Sequence, residues 1–265
     1  MRWERLDRKA AGFVEDFAGP RLDSGRWVDH YLPHWTTPDR SRARYDLLGA
    51  GDLADGVRGG LRLRIDADQL DWRPEDAPLR VSNLQTAVFS GPTGSARGTH
   101  RHRRDGLLVR TPTPPRLLWA PRSGQVDVTV TAGRDRGCML AVWLVGTEHL
   151  AEDDSGEVCV FEIDAEAVSA SSTRARVGVK AHHDPRLVTD MTEVVVPVGG
   201  GRAHTWSARW DDRGVVVACA GAVVFTSRQV LDYPLQLMVD LFEIGPRDRV
   251  DAYPKSAVIH SVTAT

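Results

Sequence analysis

The chain has 265 residues, enough to bury a full core as one large domain or two small ones. A hydrophobic fraction of 42% and a charged fraction of 26% are those of an ordinary globular protein and exclude a disordered chain. The formal net charge of -2 leaves no electrostatic footprint for nucleic acid or an anionic membrane, so the expected partner is neutral or small, with no nucleic acid and no membrane.

The first nine residues lack the apolar stretch of a signal peptide, which places the chain in the cytoplasm as an expectation. Positive charge is nearly all arginine, with lysine only at Lys9, Lys180 and Lys255. Cys138, Cys159 and Cys219 are odd in number and have no metal-type spacing, which argues against a disulfide framework.

In chain order, residues 61–65 alternate apolar and charged side chains, as a half-buried strand does. Residues 80–86 alternate small polar and apolar residues, so Asn83 and Gln85 share a face. The basic run at 100–105 reads as a solvated loop. Residues 125–130 alternate again, and 138–145 and 158–163 are apolar strand candidates. Further strands are expected at 192–198, 205–210, 215–219, 235–242 and 257–263, with a short helical turn near 227–231. Glycine and aspartate clusters at 199–201 and 211–214 punctuate them. Many short strands with no sustained helical period predict an all-β protein, a two-sheet antiparallel β-sandwich, and residues 1–265 read as one domain.

The chemistry concentrates at 155–164, Ser-Gly-Glu-Val-Cys-Val-Phe-Glu-Ile-Asp. Glu157 and Glu162 are five apart, so on a regular strand they point to opposite faces, and they share one only if the strand carries an extra, bulged residue. Two carboxyls roughly 5–5.5 Å apart suit a retaining glycosidase. A second register is open as well: Glu162, Asp164 and Glu166 alternate and would share one face of an unbulged strand.

The segment 156–162 resembles a signature of glycoside hydrolase family 16, Glu-x-Asp-x-x-Glu on a bulged strand preceded by glycine, and departs from it at Cys159. The likeness runs along the chain. Residues 13–17 with Leu22, Asp23 and Trp27 are similar to the family's opening strand and loop, 60–63 to its next strand, 139–143 to a buried strand ending in a cleft tryptophan, and 204–210 to a later strand. The resemblance implies a concanavalin-like jelly roll and a retaining endo-glycosidase acting on a β-linked glucan or galactan. Glu157 would be the nucleophile and Glu162 the acid/base, with Cys159 and Asp164 beside them. In place of the motif's aspartate, Cys159 would remain a neutral thiol among carboxylates. The polysaccharide or oligosaccharide would be the partner. A glycan-binding jelly roll disabled at Cys159, and a transglycosylase using the same pair, remain alternatives.

Trp35, Trp119 and Trp143 are candidate stacking platforms for sugar rings, and so is Trp72, while Trp27, Trp206 and Trp210 are expected between the sheets. His182 is a candidate cleft histidine, and Asn83 and Gln85 are candidate partners for sugar hydroxyls. Adjacent strand residues face opposite ways, so His182-His183-Asp184 is not expected to chelate a metal. No cofactor is required by this chemistry, and no residues form a convincing set for the structural calcium that some relatives of the fold hold.

Overall fold

The alternating runs become strands because β-branched and aromatic side chains pack on a pleated surface, and Gly, Pro and Asp turn the chain between them. The computed structural model describes residues 12–49, 59–103, 105–248 and 250–265; the N-terminal run, including Lys9, and Arg104 of the basic run lie outside it. In chain order the strands are β1 (Phe13–Glu15), β2 (Arg44–Leu48), β3 (Gly60–Ile65), β4 (Arg80–Gln85), β5 (Ala87–Val88), β6 (Arg116–Leu117), β7 (Gly124–Thr131) and β8 (Cys138–Gly146). They continue with β9 (Glu157–Asp164), β10 (Thr173–Lys180), β11 (Asp190–Val196), β12 (His204–Asp211), β13 (Gly214–Cys219), β14 (Ala222–Ser227), β15 (Leu235–Glu243) and β16 (Lys255–Ala264).

Two antiparallel sheets carry the fold. One runs β14-β13-β12-β7-β16-β3-β2 with β1 added to β16, the other runs β11-β10-β9-β8-β15-β4, and β5 and β6 form a separate ribbon. The main core lies between the sheets, where Leu140, Val142 and Leu144 of β8 meet Trp206 and Trp210 of β12 in one cluster that also holds Trp27. A second cluster, with Met139, Ala141, Trp143 and Val145, lies on the opposite face of the same β8. Burial on both faces is the reason β8 reads as an unbroken apolar run.

Five strands, β2, β5, β6, β10 and β14, fall outside the expected set. Arg174, Arg176 and Gly178 dilute the apolar signal of β10, whose alternate residues Ala175, Val177 and Val179 nonetheless enter the main core. The helical turn expected near 227–231 does not form: β14 runs to Ser227, and no helical residue follows before β15.

Trp206 is fully buried and packs against Phe161 at a tilt of 39°, with ring centroids 5.1 Å apart. Trp206→Ala is expected to cost about 3–5 kcal/mol in urea unfolding; a loss under about 1 kcal/mol would mean that this contact does not hold the sheets together.

Candidate active site

Strand β9 breaks its own alternation. Val158 and Val160 face the main core, and so do Phe161 and Ile163, so the phase changes between 160 and 161. The pairing with β8 shows why: Val142 opposes Phe161 while Trp143 opposes Cys159, which leaves Val160 as an extra residue. Glu157, Cys159 and Glu162 thereby share one face, and a ligand atom from each lies within 4.8 Å of the others. The alternative register fails because Asp164 ends the strand and Glu166 sits in a 3-10 turn, accepting a bond from the backbone N–H of Gly137 at 2.7 Å.

Two glycines beside this strand stand where no side chain fits. A Cβ on Gly156 would meet the Tyr233 hydroxyl at 2.3 Å, and that hydroxyl accepts the Gly156 N–H at 3.0 Å. Gly178, opposite Cys159 on β10, has φ +151, and a Cβ there would meet the Asp190 carbonyl at 2.2 Å.

Cations surround the pair. Lys180 Nζ lies 2.9 Å from Glu157 Oε1 and 2.5 Å from Glu162 Oε1. His182 Nε2 is 2.7 Å from Glu157 Oε2, and Arg176 Nε donates to Glu162 Oε2 at 3.0 Å while its other nitrogens hold Asp164. Burial alone would raise the Glu157 pKa, but Lys180 and His182 outweigh it and bring the carboxyl down to about 2. The Cys159 thiol, with its Sγ 3.6 Å from the Arg176 carbonyl, is pushed well above its usual range by burial and by Glu162, so it stays protonated.

The predicted sugar contacts divide. Trp143 lies opposite Cys159, and Lys180 Nζ stands 5.0 Å from its ring centre. His182 reaches the pair. Trp35 does not present a face: it is fully buried, donates from its indole to the Thr99 carbonyl at 3.2 Å, and packs with Tyr31, Leu32 and Trp72 over the outer face of the six-stranded sheet. Trp119 is elsewhere, against Phe13 and Trp210 at the main core. Asn83 and Gln85 do share the site's face, but both are fully buried, and Asn83 Nδ2 donates to Asp240 Oδ1 at 2.7 Å. Neither offers a polar atom to a sugar in this arrangement. The loops that carry Tyr31, Trp35 and Trp72 cover that end of the sheet.

His100, Asp240 and Lys180 escaped the sequence reading. His100 belongs to the basic run, yet it is buried, and its ring lies 5.1 Å from that of His182 and 5.9 Å from that of Trp143. The run is therefore not a wholly solvated loop: Arg103 pairs with Asp76 at 2.7 Å, and burial drives His100 well below its usual pKa, leaving a neutral imidazole. Asp240 is pushed well above the carboxylate range by burial, against the bond from Asn83. The histidines of a His-x-His pattern on one face were the available signal; Asp240 and Lys180 gave none, because only tertiary pairing brings them near Glu157.

His100, Glu157 and His182 have donor atoms within 4.8 Å of one another, a spacing a metal ion could use. Glu157 is already engaged by an ammonium and an imidazole, and a further cation would be pressed against Lys180. His182, His183 and Asp184 go to separate partners, namely Glu157, the Arg101 carbonyl and Arg186 with Tyr233.

No protein-family model matches the chain, and no curated protein matches it in sequence. Solved structures do. A GlcNAcα1-4Gal-releasing endo-β-galactosidase from Clostridium perfringens is 19% identical, with a TM-score of 0.76 over 99% of this chain and 64% of the other. The catalytic domain of an endo-1,3-β-glucanase (laminarinase) from Thermotoga petrophila is 11% identical, with a TM-score of 0.61 over 96% of each chain. A non-specific endo-β-1,3(4)-glucanase from family 16 is 14% identical, with a TM-score of 0.62 over 96% of this chain and 93% of the other. The fold is that of the family 16 jelly roll. This chain spans less than two thirds of the length of the endo-β-galactosidase.

At one end of the site in this jelly roll, Glu148 follows β8 with φ +54 and accepts the Arg101 N–H at 3.2 Å. Burial pushes its carboxyl from the usual 4.5 up to about 8. The unfolded chain releases this proton first, so the wild-type protein loses stability as pH rises from about 4.5 toward 8. A Glu148→Gln variant does not titrate and should gain on wild type by up to about 1.4 kcal/mol per pH unit across that window in urea unfolding. Parallel pH profiles would show that Glu148 is not held neutral.

Proposed function

We propose that this protein is a retaining endo-glycosidase that hydrolyses O-glycosidic bonds of a β-linked galactan or glucan. The observation that carries the reading is the bulge at Val160, which brings Glu157 and Glu162 to one face with oxygens within 4.8 Å. Oxygens that near each other, both in reach of the one Lys180 ammonium, suit the closer spacing of a retaining pair rather than the roughly 6.5–9.5 Å that an inverting pair needs for its water. The names of the structural neighbours, endo-acting glucanases and an endo-β-galactosidase, support the substrate class.

Glu157 suits the nucleophile because it is ionised, buried and held in orientation by His182. Its carboxylate attacks the anomeric carbon as the bond to the leaving oxygen breaks, and Glu162 gives that oxygen its proton. Glu162 then takes a proton from water, whose oxygen replaces Glu157 at the anomeric carbon. Turnover requires Lys180, whose ammonium bridges the two carboxylates, to leave Glu162 when substrate enters, and Glu162 to take up from solvent the proton that it then gives to the leaving oxygen.

A second reading, a glycan-binding jelly roll without turnover, is favoured by the two cations on Glu162 and by the uncharged thiol at Cys159. The two separate on a panel of β-1,3-, β-1,4- and mixed-linked glucans and galactans with products read by mass, which also tells hydrolysis from transfer to another sugar. Wild type is expected to cleave at least one polymer. Glu157→Gln should abolish turnover and Glu162→Gln should lower it by about 10²–10⁴-fold. Full rate in Glu162→Gln would sink the mechanism, and cleavage by Cys159→Asp alone would move the assignment to the binding reading.

A further inference from the structure

Lys180 stands on β10 directly opposite Glu157, and its ammonium reaches both carboxylates of the pair while lying over Trp143. It is one of three lysines in a chain whose positive charge is otherwise arginine. Where the family signature has a carboxyl between its two glutamates, this chain has a protonated thiol and, beside it, an ammonium. The charge placed next to the pair therefore has the opposite sign.

Glu157 is 1% exposed, so water contributes little to holding its charge. The groups around it are Cys159 and Glu162 from β9, Lys180 from β10 with Arg176 on the other oxygen of Glu162, and His182 just beyond that strand. His100 and His102 come from the loop after β5, Tyr31 from the covering loop, and Asp240 from β15. His100 and His102 are driven toward the neutral form by burial, and Asp240 is held protonated. Arg176 is engaged by Glu162 and Asp164, which leaves Lys180 as the permanent cation in contact with Glu157 among the described residues.

Resting on the retaining reading above, we propose that Lys180 is a positioning residue that keeps the nucleophile Glu157 ionised and aligned, in place of the charge-tuning carboxyl that Cys159 does not supply. Positive charge grows at the anomeric carbon that Glu157 attacks, so an ammonium in contact with Glu157 serves the free site and must shift as the sugar arrives. Its partly exposed side chain leaves room for that shift.

The test has two readouts. The first is the pH dependence of kcat/KM for wild type, Lys180→Met, Lys180→Gln and Lys180→Arg. Loss of the cation should move the acid limb upward by about one to three pH units in both neutral variants, and Lys180→Arg should keep the wild-type limb. The second is the titration of the Glu157 carboxyl by ¹³C NMR in the same proteins, which needs no activity. Its midpoint should rise in step. An unchanged Glu157 midpoint in the neutral variants overturns the proposal, whether or not the protein turns over. A wild type without hydrolysis but with a midpoint that depends on Lys180 overturns the enzymatic reading and leaves the electrostatic role of Lys180 standing.

Discussion

One extra residue in one strand organises the candidate site. Without the bulge at Val160, the period-two geometry of β9 would send Glu157 and Glu162 to opposite sides of the sheet, one of them into the main core beside Trp206. With it, the core keeps Val158, Val160, Phe161 and Ile163, and the outer face receives two carboxylates and a thiol. Gly156 and Gly178 stand beside the bulged strand at positions that admit no side chain, because a Cβ would collide with Tyr233 at the first and with the backbone of β11 at the second.

Bringing two carboxylates together out of water carries a repulsion and desolvation cost that something must offset. Here the compensation comes from the next strand. Lys180 bridges the pair, Arg176 ties Glu162 to Asp164, and His182 caps the remaining oxygen of Glu157. The result is one carboxylate, Glu157, held firmly ionised and a partner, Glu162, in contact with an ammonium and a guanidinium, and this asymmetry distinguishes the two glutamates more clearly than their places on the strand do. On the far side of Trp143, Asp240 is kept neutral by burial, so neighbouring carboxyls on one face carry different charge.

The covering loops decide how much of the sheet a ligand could reach. Tyr31, Trp35 and Trp72 form a second apolar cluster over β4, β15 and β8, and they take out of solvent Asn83 and Gln85, which are polar and would otherwise line a long groove. The accessible side is that of β10, where Arg176, Lys180 and His182 retain exposure. A jelly roll shared with glucanases and an endo-β-galactosidase is thus fitted with its own roof, and such loops are where substrate choice within one fold is set.

Fold class was legible from residue order alone, since alternation at 61–65 and 125–130 and the apolar runs at 138–145 and 235–242 each report local burial. The glutamate spacing stated the condition for a shared face, since residues five apart meet only through an irregularity, but it left the register open until the pairing with β8 placed the bulge. What tertiary structure decided was everything that depends on distant neighbours. Whether Trp35 is a platform or a roof, whether Asn83 is wet or bonded to Asp240, and that Lys180 sits between the two glutamates are set by strand pairing and loop packing across long stretches of chain. Periodicity reports which way a side chain points, but the charge and water around it belong to residues that sequence order keeps apart.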